Sequence, residues 1–141
     1  MQGTLNKLLV QLDEGAIMPT RAHKLDAGFD LYAKETARVY ESYTFDTGVH
    51  IQIPEGYAGI IKSRSSMNIV HGLQSEGVVD AGYNGSIRVK LCNHHSTPYT
   101  VQKGDRIAQI LIVPIISPEL VQVEKIEGGE RGSRGFGSSG K

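Results

Sequence analysis

Val49-His50-Ile51-Gln52-Ile53-Pro54-Glu55-Gly56 alternates apolar and polar side chains and then breaks on a proline–glycine turn. Residues two apart share one face of a strand, so Val49, Ile51 and Ile53 are expected inward and His50 and Gln52 outward. The same period returns on either side. Ile87, Val89 and Leu91 alternate with Arg88 and Lys90, and Leu8, Val10 and Leu12 alternate with Lys7, Leu9 and Gln11. Turn signals stand between such runs at Tyr83-Asn84-Gly85, Lys103-Gly104-Asp105 and Ser117-Pro118. Ile107, Ala108, Ile110, Leu111, Ile112 and Val113 form a nearly continuous apolar run, which predicts a strand buried on both faces. Its second face can meet the domain core or another copy of the chain. Residues 65–70 have room for a turn or two of helix, and residues 31–43 are ambiguous, with Thr36, Val39, Tyr40 and Tyr43 favouring strand. Short strands at regular spacing predict an all-β sandwich or barrel.

The chain has 141 residues, enough for one domain, and balances 15 Lys and Arg against 15 Asp and Glu. No basic excess points to nonspecific nucleic-acid binding. Residues 1–30 hold no long apolar run, so neither a signal peptide nor a membrane span is expected. Cys92 is the only cysteine, which excludes an intrachain disulfide and favours a reducing, cytoplasmic setting. After Ile126 the character changes: residues 128–141 are Gly- and Ser-rich, with Phe136 as the one aromatic side chain. Such a segment cannot bury enough surface to fold by itself. A folded domain over 1–127 and a flexible arm over 128–141 are therefore expected.

Several short segments carry groups suited to chemistry. In Asp26-Ala27-Gly28-Phe29-Asp30-Leu31-Tyr32-Ala33, Asp30 sits in an apolar stretch and must find a hydrogen-bond donor or a metal. Lys62-Ser63-Arg64-Ser65-Ser66 offers a fork-shaped cation and hydroxyls that suit phosphate oxygens, or else a polar turn capping a helix. Gly77-Val78-Val79-Asp80-Ala81-Gly82-Tyr83-Asn84-Gly85 holds a carboxylate at the mouth of a sheet. Such a group can deprotonate a water, or simply close an Asx-type turn. In Gly104-Asp105-Arg106-Ile107-Ala108-Gln109-Ile110, the amide of Gln109 interrupts an apolar run and needs partners, unless it faces the other side of the sheet. The stretch Arg131-Gly132-Ser133-Arg134-Gly135-Phe136-Gly137-Ser138-Ser139-Gly140 is either a flexible linker or a strip that closes over a ligand, offering backbone N–H groups to phosphate and a ring to a base.

In this order the segments resemble the motifs of the trimeric dUTPase family over residues 26–140. The resemblance implies a jelly-roll fold, a homotrimer with active sites shared between chains, and hydrolysis of dUTP to dUMP and pyrophosphate with Mg²⁺. That reaction limits uracil incorporation into DNA and supplies dUMP for thymidylate synthesis. It further implies Asp80 as general base for a water attacking the α-phosphorus, and Tyr83 against the deoxyribose. Backbone around Gly77 would read uracil, and Arg64, Ser65, Ser66 and Gln109 would hold phosphates. Asp30 would hold Mg²⁺ through water. Arg131 would bind phosphate, Phe136 would cover the base, and Gly137 with Ser138 would cap the γ-phosphate.

The chain departs from the family pattern in places. Ser63 stands where a proline is usual, Gln74 where an asparagine is frequent, and Arg134 where the tail usually has glycine. A dCTP deaminase would share the fold and much of the phosphate site. It would need a catalytic glutamate, and Glu76 is the only acid near the base pocket besides Asp80. A non-catalytic nucleotide sensor would be expected to lack Asp80 or the tail. Cys92, His94 and His95 are too few and too close in sequence for a tetrahedral metal cage, so a surface turn is expected there.

Overall fold

The protein is described here by a computed structural model covering residues 5–137, 139 and 140. The strands are β1 (Leu9–Leu12), β2 (Phe29–Tyr32), β3 (Ala37–Val39), β4 (Ser42–Asp46), β5 (Val49–Gln52) and β6 (Tyr57–Lys62), then β7 (Leu73–Gln74), β8 (Glu76–Val79), β9 (Arg88–Asn93), β10 (Tyr99–Val101) and β11 (Arg106–Pro114). A π-helical turn, Ser66–Val70, separates β6 from β7. A four-stranded sheet has the order β2-β11-β6-β8 and a three-stranded sheet the order β4-β9-β7, with β1-β5 and β10-β3 as separate pairs. Every described pairing is antiparallel. The architecture is an all-β jelly roll. Among the described residues no helix is long and apolar enough to cross a membrane.

Alternation places the core. Val49, Ile51 and Ile53 from the β5 region and Ile87, Val89 and Leu91 from the β9 region are all buried, together with Leu31, Phe45, Leu73, Ile107 and Ile110. Burying each such side chain stabilises the fold by about 1.5–3 kcal/mol relative to leaving it in water. The pattern fails at Leu12, which is 40% exposed although Val10 packs against the core. Leu12 is the last residue of β1, and the chain turns away at Asp13, whose N–H donates to the Gly48 carbonyl. β11 lies inside its sheet, and Ile107 and Ala108 are both fully buried, but Leu111, Ile112 and Val113 are only half-buried, so burial on both faces holds for its first part alone.

The register of β11 against β2 slips between Arg106 and Ala108, because Ile107 is an extra residue without a partner on β2. A bulge of this kind re-phases the side chains beyond it. Arg106 and Gln109, three apart, would face opposite sides of a regular strand. With the extra residue both come to the side that carries Asp30, the Cα partner of Gln109.

The chain reverses at Asp80–Tyr83, where the Tyr83 N–H donates to the Asp80 carbonyl at 3.1 Å and Gly82 takes a φ of 88° that side chains avoid. The reversal therefore precedes Asn84-Gly85. No described strand follows Ser117-Pro118. The last strand ends at Pro114, and Ile116, Leu120 and Ile126 are almost fully exposed in the segment beyond it.

Candidate active site

Asp30 is the centre of a polar cluster at one end of the four-stranded sheet. Its Oδ1 accepts the Nε–H of Arg64 at 3.0 Å, and its Oδ2 lies 3.9 Å from Nη1 of Arg106. The Asp30 side chain is 14% exposed, so the requirement for a donor inside an apolar stretch is met by guanidinium. Two cations against one carboxylate leave a net positive charge. The neighbouring Asp105 is turned back into its own loop, where it accepts the Gln102 N–H at 2.8 Å. Arg64 Nη1 also reaches the Ser66 hydroxyl at 3.4 Å. Ser65 precedes the π-helical turn without making a side-chain capping bond.

Gln109 joins the cluster from β11. Its Nε2 donates to the Ser63 carbonyl at 3.0 Å and so fixes the start of the Arg64 loop. Gly28 makes room for it: a Cβ there would lie 2.7 Å from Gln109 Oε1 and 3.2 Å from Gln109 Cβ. Ser63, which replaces the usual proline, compensates with a hydroxyl that accepts the Ser75 N–H at 2.8 Å. The loop is thus held by hydrogen bonds rather than by a ring. Arg106 was not singled out from the sequence, because the bulge that turns it toward Asp30 leaves no sequence signal.

Asp80 lies elsewhere. With Gly77, Val79, Tyr83 and Arg88 it lines a cavity of about 250 Å³ next to β8. Gly77 is the register partner of Ile61, and a Cβ on it would come 3.3 Å from Ile61 Cδ1, so its bare backbone keeps the cavity open. The Tyr83 hydroxyl donates to the Ser86 carbonyl at 2.8 Å, folding the ring back across Gly85, where any Cβ would collide with it.

The strand register separates these two groups. Gly59 pairs with Val79 and Lys62 with Glu76, so Asp80 leaves β8 at the Ala58 end of β6 while Arg64 leaves the other end. At about 3.3 Å per residue, positions 58 and 64 lie roughly 15–20 Å apart. One chain therefore does not bring Asp80 to Arg64. Arg131, Phe136 and Gly137 lie on the exposed C-terminal segment, where Arg134 Nε donates to the Arg131 carbonyl at 2.9 Å. Ser138 falls outside the described residues.

The dUTPase family profile matches residues 14–140. This chain belongs to the dUTPase family. The deoxyuridine 5'-triphosphate nucleotidohydrolase of Leifsonia xyli subsp. xyli is 45% identical over 129 residues, covering 87% of this chain and 85% of that protein. The protein of the same name from Mycolicibacterium gilvum is 43% identical over 143 residues, with coverages of 94% and 93%. Among solved structures, the Staphylococcus bacteriophage 80alpha dUTPase with dUPNHPP aligns at a TM-score of 0.90 and 38% identity, over 97% of this chain and all of that one. A mutant dUTPase of phage phi11 of S. aureus, described with a structural Mg(II) ion, aligns at 0.81 and 35% identity, covering 87% of this chain and 100% of that one.

Other polar groups have structural partners. His94 Nε2 lies 2.9 Å from Gln74 Oε1, which gives the unusual Gln74 a role in joining β7 to the turn after β9. Among the described residues no group of three or more His, Cys, Asp or Glu could hold a metal.

Proposed function

We propose that this dUTPase-family chain hydrolyses dUTP to dUMP and pyrophosphate at sites assembled between copies of a homotrimer. The observation that carries the shared site is the register of β8 against β6, which sets Asp80 and Arg64 at opposite ends of one strand pair. Only a second copy can set one chain's Asp80 beside another's Arg64. The exposed Ile116, Leu120, Val121 and Ile126 agree with this, since a neighbouring copy would remove them from water.

In this reading residues 1–127 form the barrel and 128–141 an arm over the site. Asp80 takes a proton from water as that water attacks the α-phosphorus, and the bond to pyrophosphate breaks. Arg64, Ser65, Ser66 and Gln109 hold the phosphates, and Arg64 with Arg131 opposes the charge that builds on the leaving group. Tyr83 packs against the deoxyribose, backbone around Gly77 reads the uracil edge, and Phe136 covers the base with Gly137 and Ser138 near the γ-phosphate. The donor set fits a Mg²⁺ borne by substrate: Asp30 is the one carboxylate of the cluster, and its Oδ2, less tightly paired than Oδ1, can accept from metal-bound water. Such an ion would neutralise phosphate charge.

A pyrophosphate-release assay on dUTP, with dTTP and dCTP alongside and ammonia release from dCTP followed in parallel, tests this. Turnover confined to dUTP and lost in Asp80→Asn is expected. Equal rates for wild type and Asp80→Asn would remove Asp80 as the base, and ammonia release would point to a deaminase.

A further inference from the structure

The loop that carries Asp80 and Tyr83, between β8 and β9, is fastened to the rest of the fold by ties outside the substrate-facing motifs. At its far end the Thr47 hydroxyl donates to the Ile87 carbonyl at 2.6 Å, and the Ser86 hydroxyl donates to Asp46. Against its middle stands His50, on the outward face of β5. Its Nδ1 is 2.7 Å from the backbone carbonyl oxygen of Asn84, and its Nε2 is 3.0 Å from Asp13 Oδ1. The ring thus spans from the turn after β1 to the loop of Asp80 and Tyr83, with only 21% of its side chain exposed.

The two partners decide the protonation state. A peptide carbonyl has no proton to give, and an ionised carboxylate has none either. A neutral imidazole donates from one nitrogen and turns a lone pair outward from the other. Between two acceptors one contact would then be repulsive. Only the imidazolium donates to both.

We propose that His50 is a positioning residue for the loop of Asp80 and Tyr83: as an imidazolium it ties that loop to β1 and β5, and nucleotide binding weakens when the ring loses its proton. The proposal rests on the function proposed above, since it assigns the loop to the nucleotide site.

The surrounding charges favour this state. The turn after β1 contributes Asp13, and β4 contributes Asp46, whose charge acts on the ring in the same direction. Gln11 on β1, the Cα partner of His50, is neutral. Lys34 and Arg88 act on Asp46. The Asn84 carbonyl first, then Asp13, hold the pKa of the ring above its ordinary value. A raised folded-state pKa fixes the sign: the tie is fully present below the ordinary histidine pKa and is lost as pH rises through the higher folded one.

The test combines a ring titration with steady-state kinetics on the full-length protein. The His50 ring and the Asn84 and Gly85 amides are followed by NMR against pH. In parallel, KM and kcat for dUTP are measured for wild type, His50→Ala, His50→Lys and Asp13→Asn. The ring is expected to titrate above an ordinary histidine, with the loop amides moving at the same midpoint. Wild-type KM should rise roughly threefold to tenfold across that midpoint, the size of one net hydrogen bond. His50→Ala should show the high KM at every pH. His50→Lys keeps a permanent cationic donor for one of the two oxygens and should hold part of the low KM past the midpoint, while Asp13→Asn should move the midpoint down. A ring that titrates at or below the ordinary value, amides that ignore it, or a wild-type KM profile in His50→Ala would overturn the proposal. A chain that hydrolyses no dUTP at any pH refutes the proposed function instead, and the ring titration still decides whether the tie exists.

Discussion

Asp30 Oδ1 on β2 and Arg64 Nε, two residues beyond the end of β6, meet at 3.0 Å; β2 and β6 do not pair with each other but both flank β11. The bond orients the guanidinium through Nε. Lysine has no planar fork and no atom equivalent to Nε. Arg64→Lys keeps the charge but loses the orientation, so it should retain little of the wild-type kcat/KM. A fall of roughly a hundredfold is expected, the scale of losing one preorganised donor to a charged transition state. Steady-state kinetics on dUTP checks this, and near-normal turnover would mean that Arg64 acts only as a diffuse charge.

Gly28→Ala isolates the packing of Gln109. The added methyl would lie 2.7 Å from Gln109 Oε1 and 3.3 Å from Gln109 Cδ, so the amide must swing away and release the Ser63 carbonyl. Overpacking of this kind costs about 1–3 kcal/mol. Urea unfolding should show that loss, and KM for dUTP should rise because the Arg64 loop is no longer fixed. An unchanged midpoint with unchanged KM would show that the site yields freely.

Asp46 supplies an acid-side dependence. Its carboxyl is held below the ordinary value, first by the Ser86 hydroxyl and then by the Gly48 N–H. A depressed folded-state pKa means that this stabilisation is present above the ordinary carboxylate pKa and is lost as pH falls through the lower folded value. Asp46→Ala should be less stable at neutral pH by about 1–2 kcal/mol, the net worth of such bonds, and should lose less on acidification than wild type. Urea midpoints measured from pH 7 downward report both; parallel curves for the two proteins would contradict the assignment.

Much of this was legible in the sequence, for physical reasons. Val49, Ile51, Ile53, Ile87, Val89 and Leu91 alternate because each strand has one wet and one dry face, and they are buried accordingly. Asp30 announced a partner because an unpaired carboxylate in an apolar stretch is costly, and Arg64 answers it. What escaped detection depends on pairing between distant segments. Arg106 reaches Asp30 only through the bulge at Ile107. His50 reads only as an outward-facing strand residue, because its partners Asp13 and Asn84 are 37 and 34 residues away along the chain. Gln74 had no evident role until β7 was set beside β9. Residues 115–126 carry apolar side chains, yet Ile116, Leu120 and Ile126 are almost fully exposed, and no described strand lies beyond Pro114.

The C-terminal arm should respond to the phosphate chain. Ordering roughly ten residues costs on the order of 10 kcal/mol. Only a ligand rich in acceptors offsets that, so the Phe136 and Gly137 amides should become rigid with a non-hydrolysable dUTP analogue and remain mobile with dUMP. NMR relaxation measures this. Equal mobility with and without the analogue would remove the arm from the site.

The central claim is that Arg64 and Asp80 of one active site belong to different chains. Asp80→Asn and Arg64→Ala proteins, each nearly inactive alone, are unfolded together in equal amounts, refolded and assayed for pyrophosphate release from dUTP. If sites are shared, about a quarter of them receive an intact Arg64 from one chain and an intact Asp80 from another, and activity returns to about a quarter of wild type. If each site is built within a single chain, every site in the mixture carries one lesion and the activity stays at the level of the separate variants.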